Sequence, residues 1–155
     1  MTTEERNAEL VQLQTTLNYY AENKTENLCK AFGYGFAFTP IEKNGTIEES
    51  YKNYLTREHN VSRFIRDVSL RPLNKENLGV LDLSESLCEW LFGVTHFASY
   101  RQRADELLDT MIRISEAIAL WEVDCLPDDW PDPVWDHFLF EGQAQVFLLH
   151  LSFCD

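Results

Sequence analysis

From Thr3 to Tyr20 apolar residues return at helical spacing, with Leu10, Leu13, Leu17 and Tyr20 on one face. That period predicts an amphipathic helix, and Thr2 with Glu5 forms a capping-box pair at its start. At Ala31 the period changes to two. Phe32, Tyr34, Phe36 and Phe38 fall on one side, with Ala31, Gly33, Gly35 and Ala37 on the other, which predicts a strand. Asn44-Gly45 is a favoured two-residue hairpin turn between Ile41 and Ile47, so a β-hairpin is expected over 32–49. A competing reading starts a helix at Thr46, whose Glu49 completes a second capping box.

Beyond Glu48 the pattern is helical. Tyr51, Tyr54 and Leu55 lead to Asn60, which caps a short helix carrying Phe64, Ile65 and Val68 that Pro72 stops. After a connector, Asp82 or Ser84 caps a helix presenting Leu87, Cys88, Leu91, Val94 and Ala98. The longest predicted helix runs from about Tyr100 to Leu126, through Leu107, Leu108, Met111, Ile112, Ile114 and Ile118, and Pro127 ends it. Asp132 with Pro133 then opens a last helix on which Trp135, Phe138, Leu139, Val146 and Leu149 share a face. Gly142 and the β-prone Val146-Phe147-Leu148-Leu149 leave open whether 143–153 is helix or buried strand. The expected fold is therefore mainly α: one compact domain over 1–155, a bundle of five or six helices with a small β-hairpin near 32–49.

Composition is consistent with a packed domain. The chain has 155 residues, 45% hydrophobic and 13% aromatic, which excludes general disorder despite a net charge of −13. The longest apolar stretch, Val146 to Cys154, is interrupted by His150 and Ser152 and is too short for a membrane span. The polar N-terminus lacks the basic start and apolar middle of a signal peptide, so a cytoplasmic location and no membrane association are expected. Cys29, Cys88, Cys125 and Cys154 are far apart, contain no C-x-x-C pair and read as reduced, buried thiols.

Charge alters the picture most. The first 113 residues carry 17 acids against 13 bases, −4, while the last 42 carry nine acids and no base, −9. A one-signed segment repels nucleic acid and anionic membrane and attracts basic surfaces. The segment also holds Trp121, Trp130 and Trp135, so it is not a solvated tail. Trp121 and Trp135 read as core. Trp130, between Asp129 and Pro131, reads equally as core or as a rigid aromatic anchor with little ordering entropy to lose.

No catalytic set is complete. Gly33-Tyr34-Gly35 lacks the further residues of a dinucleotide or phosphate loop and reads as a small strand face on which another element packs. His137 and Glu141, one helical turn apart and downstream of the aspartates, resemble a metal pair. A solvated helix start explains the same residues, and neither a metal nor another cofactor is expected. Cys88 and His96 are about 12 Å apart along one helix, too far for proton transfer. His150, in an apolar run, reads as a satisfied core histidine. The basic cluster Arg57, Arg63, Arg66, Arg71 and Lys75 complements the chain's own acidic third or takes an anion.

These observations weigh against an enzyme. The leading expectation is an acidic binding protein that sequesters or inhibits a basic protein, of the immunity, antitoxin or anti-defence kind. Its contact residues are Asp128, Asp129, Trp130, Asp132 and Asp136. A stricter form, mimicry of DNA phosphates, is weakened by the 13 bases of the first 113 residues. Two alternatives stand beside it: a ligand-binding protein or enzyme with an aromatic pocket near Phe32–Phe38, and a structural subunit that self-associates through its apolar C-terminus.

Overall fold

A computed structural model of the chain describes residues 1–25, 33–59, 68–73, 79–93, 98–123 and 134–154. Local signals set the first elements. Helix α1 (Thr3–Thr25) begins with the reciprocal Thr2–Glu5 box, in which the Glu5 N–H donates to Thr2 Oγ1 at 3.1 Å and the Thr2 N–H to Glu5 Oε2 at 2.8 Å. Strand β1 (Gly33–Ile41) follows, with Phe36 and Phe38 buried as the alternation requires. It does not turn back at Asn44-Gly45. Gly45 takes a left-handed φ of +73°, Thr46 and Glu49 form the second capping box, and α2 (Ile47–His59) begins. The hairpin over 32–49 is thereby replaced by strand, cap and helix.

Strand β2 (Leu70–Leu73) contains Pro72 and lies at a sheet edge, the place in a sheet to which proline is confined. Helices α3 (Gly79–Phe92) and α4 (Ala98–Ser115) pack together, with Ser84 bonded to Asp105 between them. The chain then returns through β3 (Ala119–Val123), β4 (Val134–Glu141) and β5 (Val146–Cys154). The five strands form one antiparallel sheet in the order β1-β5-β4-β3-β2. Among the described residues this is four helices on a five-stranded sheet, an α+β fold and not the all-α bundle expected from the sequence.

One predicted helix is shortened and another is replaced, for separate reasons. The helix of 100–126 stops at Ser115 because Glu116 adopts φ 52°. The Ala117 N–H reaches Ile112 O at 3.2 Å and the Glu116 N–H reaches Arg113 O at 3.3 Å, the paired bonds of a Schellman ending with Glu where glycine usually sits. The last predicted helix is a hairpin of β4 and β5. Trp135, His137 and Leu139 face one side of the sheet, Phe138 and Phe140 the other, and all five are buried. A strand buried on both faces reads as a continuous apolar run, which periodicity alone cannot separate from a helix. The strand alternative for 143–153 is the one realised.

The sheet has a core on each face. Leu13 and Leu17 of α1, Leu87 and Leu91 of α3, and Leu108, Met111 and Ile114 of α4 pack on Phe36, Phe38, Phe138, Phe140, Phe147 and Leu149. On the opposite face Ile47, Tyr51 and Leu55 of α2 cover Ile41, Trp135, Leu139, Val146 and Leu148. Each such side chain contributes about 1.5–3 kcal/mol when fully enclosed. The edge of β1 is closed by a side chain: the Gln14 carboxamide donates to Phe36 O at 2.9 Å and accepts from the Phe38 N–H at 3.0 Å. It occupies the place of a neighbouring strand's peptide group.

A candidate cation-binding recess at one end of the sheet

The sheet topology brings the start of β1, the end of β5 and the start of β4 to one end, beside the C-terminal turns of α1 and α3. A recess of about 400 Å³ opens there, lined by Lys24, Tyr34, Glu89, Trp90, Asp136 and Phe153 together with Ser86. Its walls are aromatic. Tyr34 stands edge-on to Trp90 with centroids 6.3 Å apart, and Phe153 is 4.9 Å from Tyr34. Tyr34 is placed by the strand alternation that buries Phe36 and Phe38. Asp136 is placed by that of β4, which turns it to the same face as Phe138.

Polar groups of three residues meet in this recess. The Trp90 indole N–H donates to Asp136 Oδ2 at 2.7 Å, and Lys24 Nζ donates to the Trp90 carbonyl at 2.6 Å. The Lys24 ammonium also lies 4.2 Å from the Tyr34 ring centroid, a cation–π contact. Burial pushes the Asp136 carboxyl above the usual carboxylate range; the Trp90 bond opposes this, and Glu122 and Glu89 add to the rise. Burial likewise pushes the Lys24 ammonium below the usual lysine range, with Glu89 opposing. Such paired perturbation in a concave aromatic site is the physical mark of a functional candidate.

The sequence-predicted residues are distributed unevenly. Asp136 lines the recess, while Asp128, Asp129, Trp130 and Asp132 lie outside the described residues. Of the aromatic stretch, Phe32 lies outside them, Phe36 and Phe38 belong to the core, and Tyr34 alone lines the recess. Trp135 is core, and Trp121 packs on it with its indole N–H on Glu141 Oε1 at 3.1 Å. The His137–Glu141 pair loses its geometry. On a strand the two are about 13 Å apart along the chain, and Asp136 faces the other side. Among the described residues no group of three metal-ligating side chains converges, and no helix is long and apolar enough to cross a membrane.

Cys88 is buried; His96 lies outside the described residues. Of the basic cluster, Arg71 pairs with Glu122 across β2 and β3, so part of it does complement the acidic third. Arg57 pairs with Glu42; Arg63, Arg66 and Lys75 lie outside the described residues.

Sequence reasoning missed Lys24, Glu89 and Trp90 in the recess, and no spacing rule connects them. It also missed a buried polar chain under α2. The Tyr51 hydroxyl is hydrogen-bonded to His137 Nδ1 at 2.5 Å, and His137 Nε2 is bonded to His150 Nδ1 across β4 and β5. Tyr51 and His137 are 0% and 1% exposed, and a buried imidazole needs both nitrogens engaged. His150 has the ring partner expected of a satisfied histidine. It also borders a shallower groove of about 760 Å³ along β1, where Gln14 and Asn18 meet the small face of Gly33, Gly35 and Ala37. No family model matches the chain, and no curated protein or solved structure matches it.

Proposed function

We propose that this protein binds, and thereby sequesters or inhibits, a basic protein, in the manner of immunity, antitoxin or anti-defence proteins. The observation that carries the reading is the internal engagement of its own cations. Arg6, Lys52, Arg57, Arg71, Arg101 and Arg113 pair with its own carboxylates. Lys24 and Lys43 donate to backbone carbonyls, and Arg103 lies 6.0 Å from the Tyr100 ring. With those bases engaged and a net charge of −13, the surplus carboxylates lack counter-charge from the chain. A basic partner supplies it, and their field steers its approach.

In this reading Asp128, Asp129 and Asp132 govern encounter, Trp130 governs residence, and Asp136 marks where that segment joins the sheet. Less supports the self-association alternative, whose proposed surface, β5, is paired on both edges, with β1 and β4, and has Val146 to Leu149 buried. Affinity capture from the source cell followed by stopped-flow kinetics tests the proposal. A stoichiometric basic protein is expected, with an association rate that falls with salt. Changing Asp128, Asp129 and Asp132 together to Asn should slow association and flatten that salt dependence, whereas Trp130→Ala should speed dissociation by about 30-fold. Recovery of a metabolite or of a homo-oligomer alone would overturn it.

A further inference from the structure

We infer that the recess between α1, α3 and the sheet is a binding site for one guanidinium or alkylammonium side chain, and that Lys24 is its resident occupant. The inference rests on the basic-partner reading and names the group that the site accepts.

The lining fits that chemistry on three counts. Tyr34, Trp90 and Phe153 offer aromatic surface to a weakly hydrated cation. Asp136 and Glu89 supply carboxylate acceptors, and the Trp90 carbonyl supplies a neutral one already used by an ammonium. Lys24 itself shows how a cation sits there, over the Tyr34 ring and on that carbonyl.

Lys24 is a replaceable occupant. Its flexible stem can swing to solvent, and burial already works against its charge. A guest arginine would add what Lys24 lacks: a planar fork that stacks on rings and meets a carboxylate bidentately. A guest cation would also stabilise ionised Asp136, which burial disfavours, so binding should tighten as pH rises through the raised Asp136 value. The groove along β1 is a poorer candidate because its central side chain, Gln14, is committed to the backbone of β1.

The test follows the Trp90 indole N–H by ¹H–¹⁵N NMR, assigned with Trp90→Phe. The probes are Nα-acetyl-arginine methylamide, its lysine counterpart and the neutral citrulline counterpart. A saturable shift is expected with arginine, a weaker one with lysine and none with citrulline. Lys24→Met should tighten arginine binding about fivefold by emptying the site. Asp136→Asn should weaken it by a similar factor; Glu89→Gln, on the exposed face of α3, repeats the charge test if that variant does not fold. A shift that stays linear in both wild type and Lys24→Met, or that citrulline reproduces, overturns the inference. So does a Lys24→Met protein that binds arginine no more tightly. A basic partner whose binding ignores Lys24→Met and Asp136→Asn would remove this site while leaving the proposed function intact. A saturable arginine site in a protein that captures no basic partner would do the reverse.

Discussion

At the end of the sheet where β4 turns into β5, charged and amide side chains close the backbone. Lys43 donates to Gly142 O at 2.9 Å and to Gln143 O at 2.7 Å, and Gln145 Nε2 reaches Ser115 O at 3.3 Å. Arg6 pairs with Glu116, the residue that ends α4. At the opposite end Lys24 and Asp136 are held where burial opposes the charge of each. The two ends use similar residue types for different purposes. At both ends a cation meets a turn or helix-terminal carbonyl, Lys43 at Gly142 and Gln143 and Lys24 at Trp90, but only Lys24 also lies over an aromatic ring in a recess. Where a charge is desolvated beside aromatic rings with only partial compensation, it is available to a ligand.

The largest effect is expected from removing the strands that join the two ends. Deleting everything after Leu126 removes β4 and β5, leaving β1 without its paired strand and β3 paired only with β2. We expect no cooperative melt, since the lost burial rivals a domain's whole stability of about 5–15 kcal/mol. A truncated chain that still melts cooperatively would separate the ends into independent units.

Next comes the closed end alone. A Cβ on Gly142 would lie 2.6 Å from Ser115 O, a backbone atom held by the α4 ending. Gly142→Ala should therefore cost about 1–3 kcal/mol in denaturant unfolding, while Gln143→Ala at the neighbouring exposed position stays within about 0.5 kcal/mol of wild type. Equal stability of the two variants would mean that this end is not tightly built.

A smaller effect, visible as a slope, belongs to the open end. The Asp136 pKa is raised on folding, so its contribution to stability is fully present below the ordinary carboxylate range and is lost as pH rises through the raised value. Asp136→Asn keeps an acceptor for the Trp90 indole and removes the charge. The variant should gain on wild type as pH rises through that interval, measured by urea unfolding at a series of pH values. Parallel curves would place Asp136 in water.

The smallest predicted change sharpens the contrast from the closed end. Glu116→Gly relieves a left-handed φ but loses the pair with Arg6, whose side chains are 22% and 61% exposed. The strain is worth about 1 kcal/mol or more and an exposed pair about 0–1 kcal/mol. The variant should melt at or slightly above wild type. A clear loss of stability would show that Arg6–Glu116 is a stronger clamp than its exposure implies.

The signals readable along the chain were local or global, with nothing between. The capping boxes Thr2–Glu5 and Thr46–Glu49 act within one turn, so α1 was legible, as was the alternation of β1, while the start of α2 was legible only as the reading that competed with the expected hairpin. The charge asymmetry was legible because it needs no geometry. Tertiary structure decided the rest. The α4 ending depends on a non-glycine residue held left-handed beside Arg6 and close to Gly142, which no local rule marks. β4 and β5 are strands because α2 covers one face and α1, α3 and α4 the other, so their sequence carries no alternation to read. The recess joins Trp90 to Asp136 across 46 positions and to Lys24 across 66. Contacts at such separations follow from strand order and helix packing, and these arise from burying apolar surface across the whole chain rather than from any pattern within a segment.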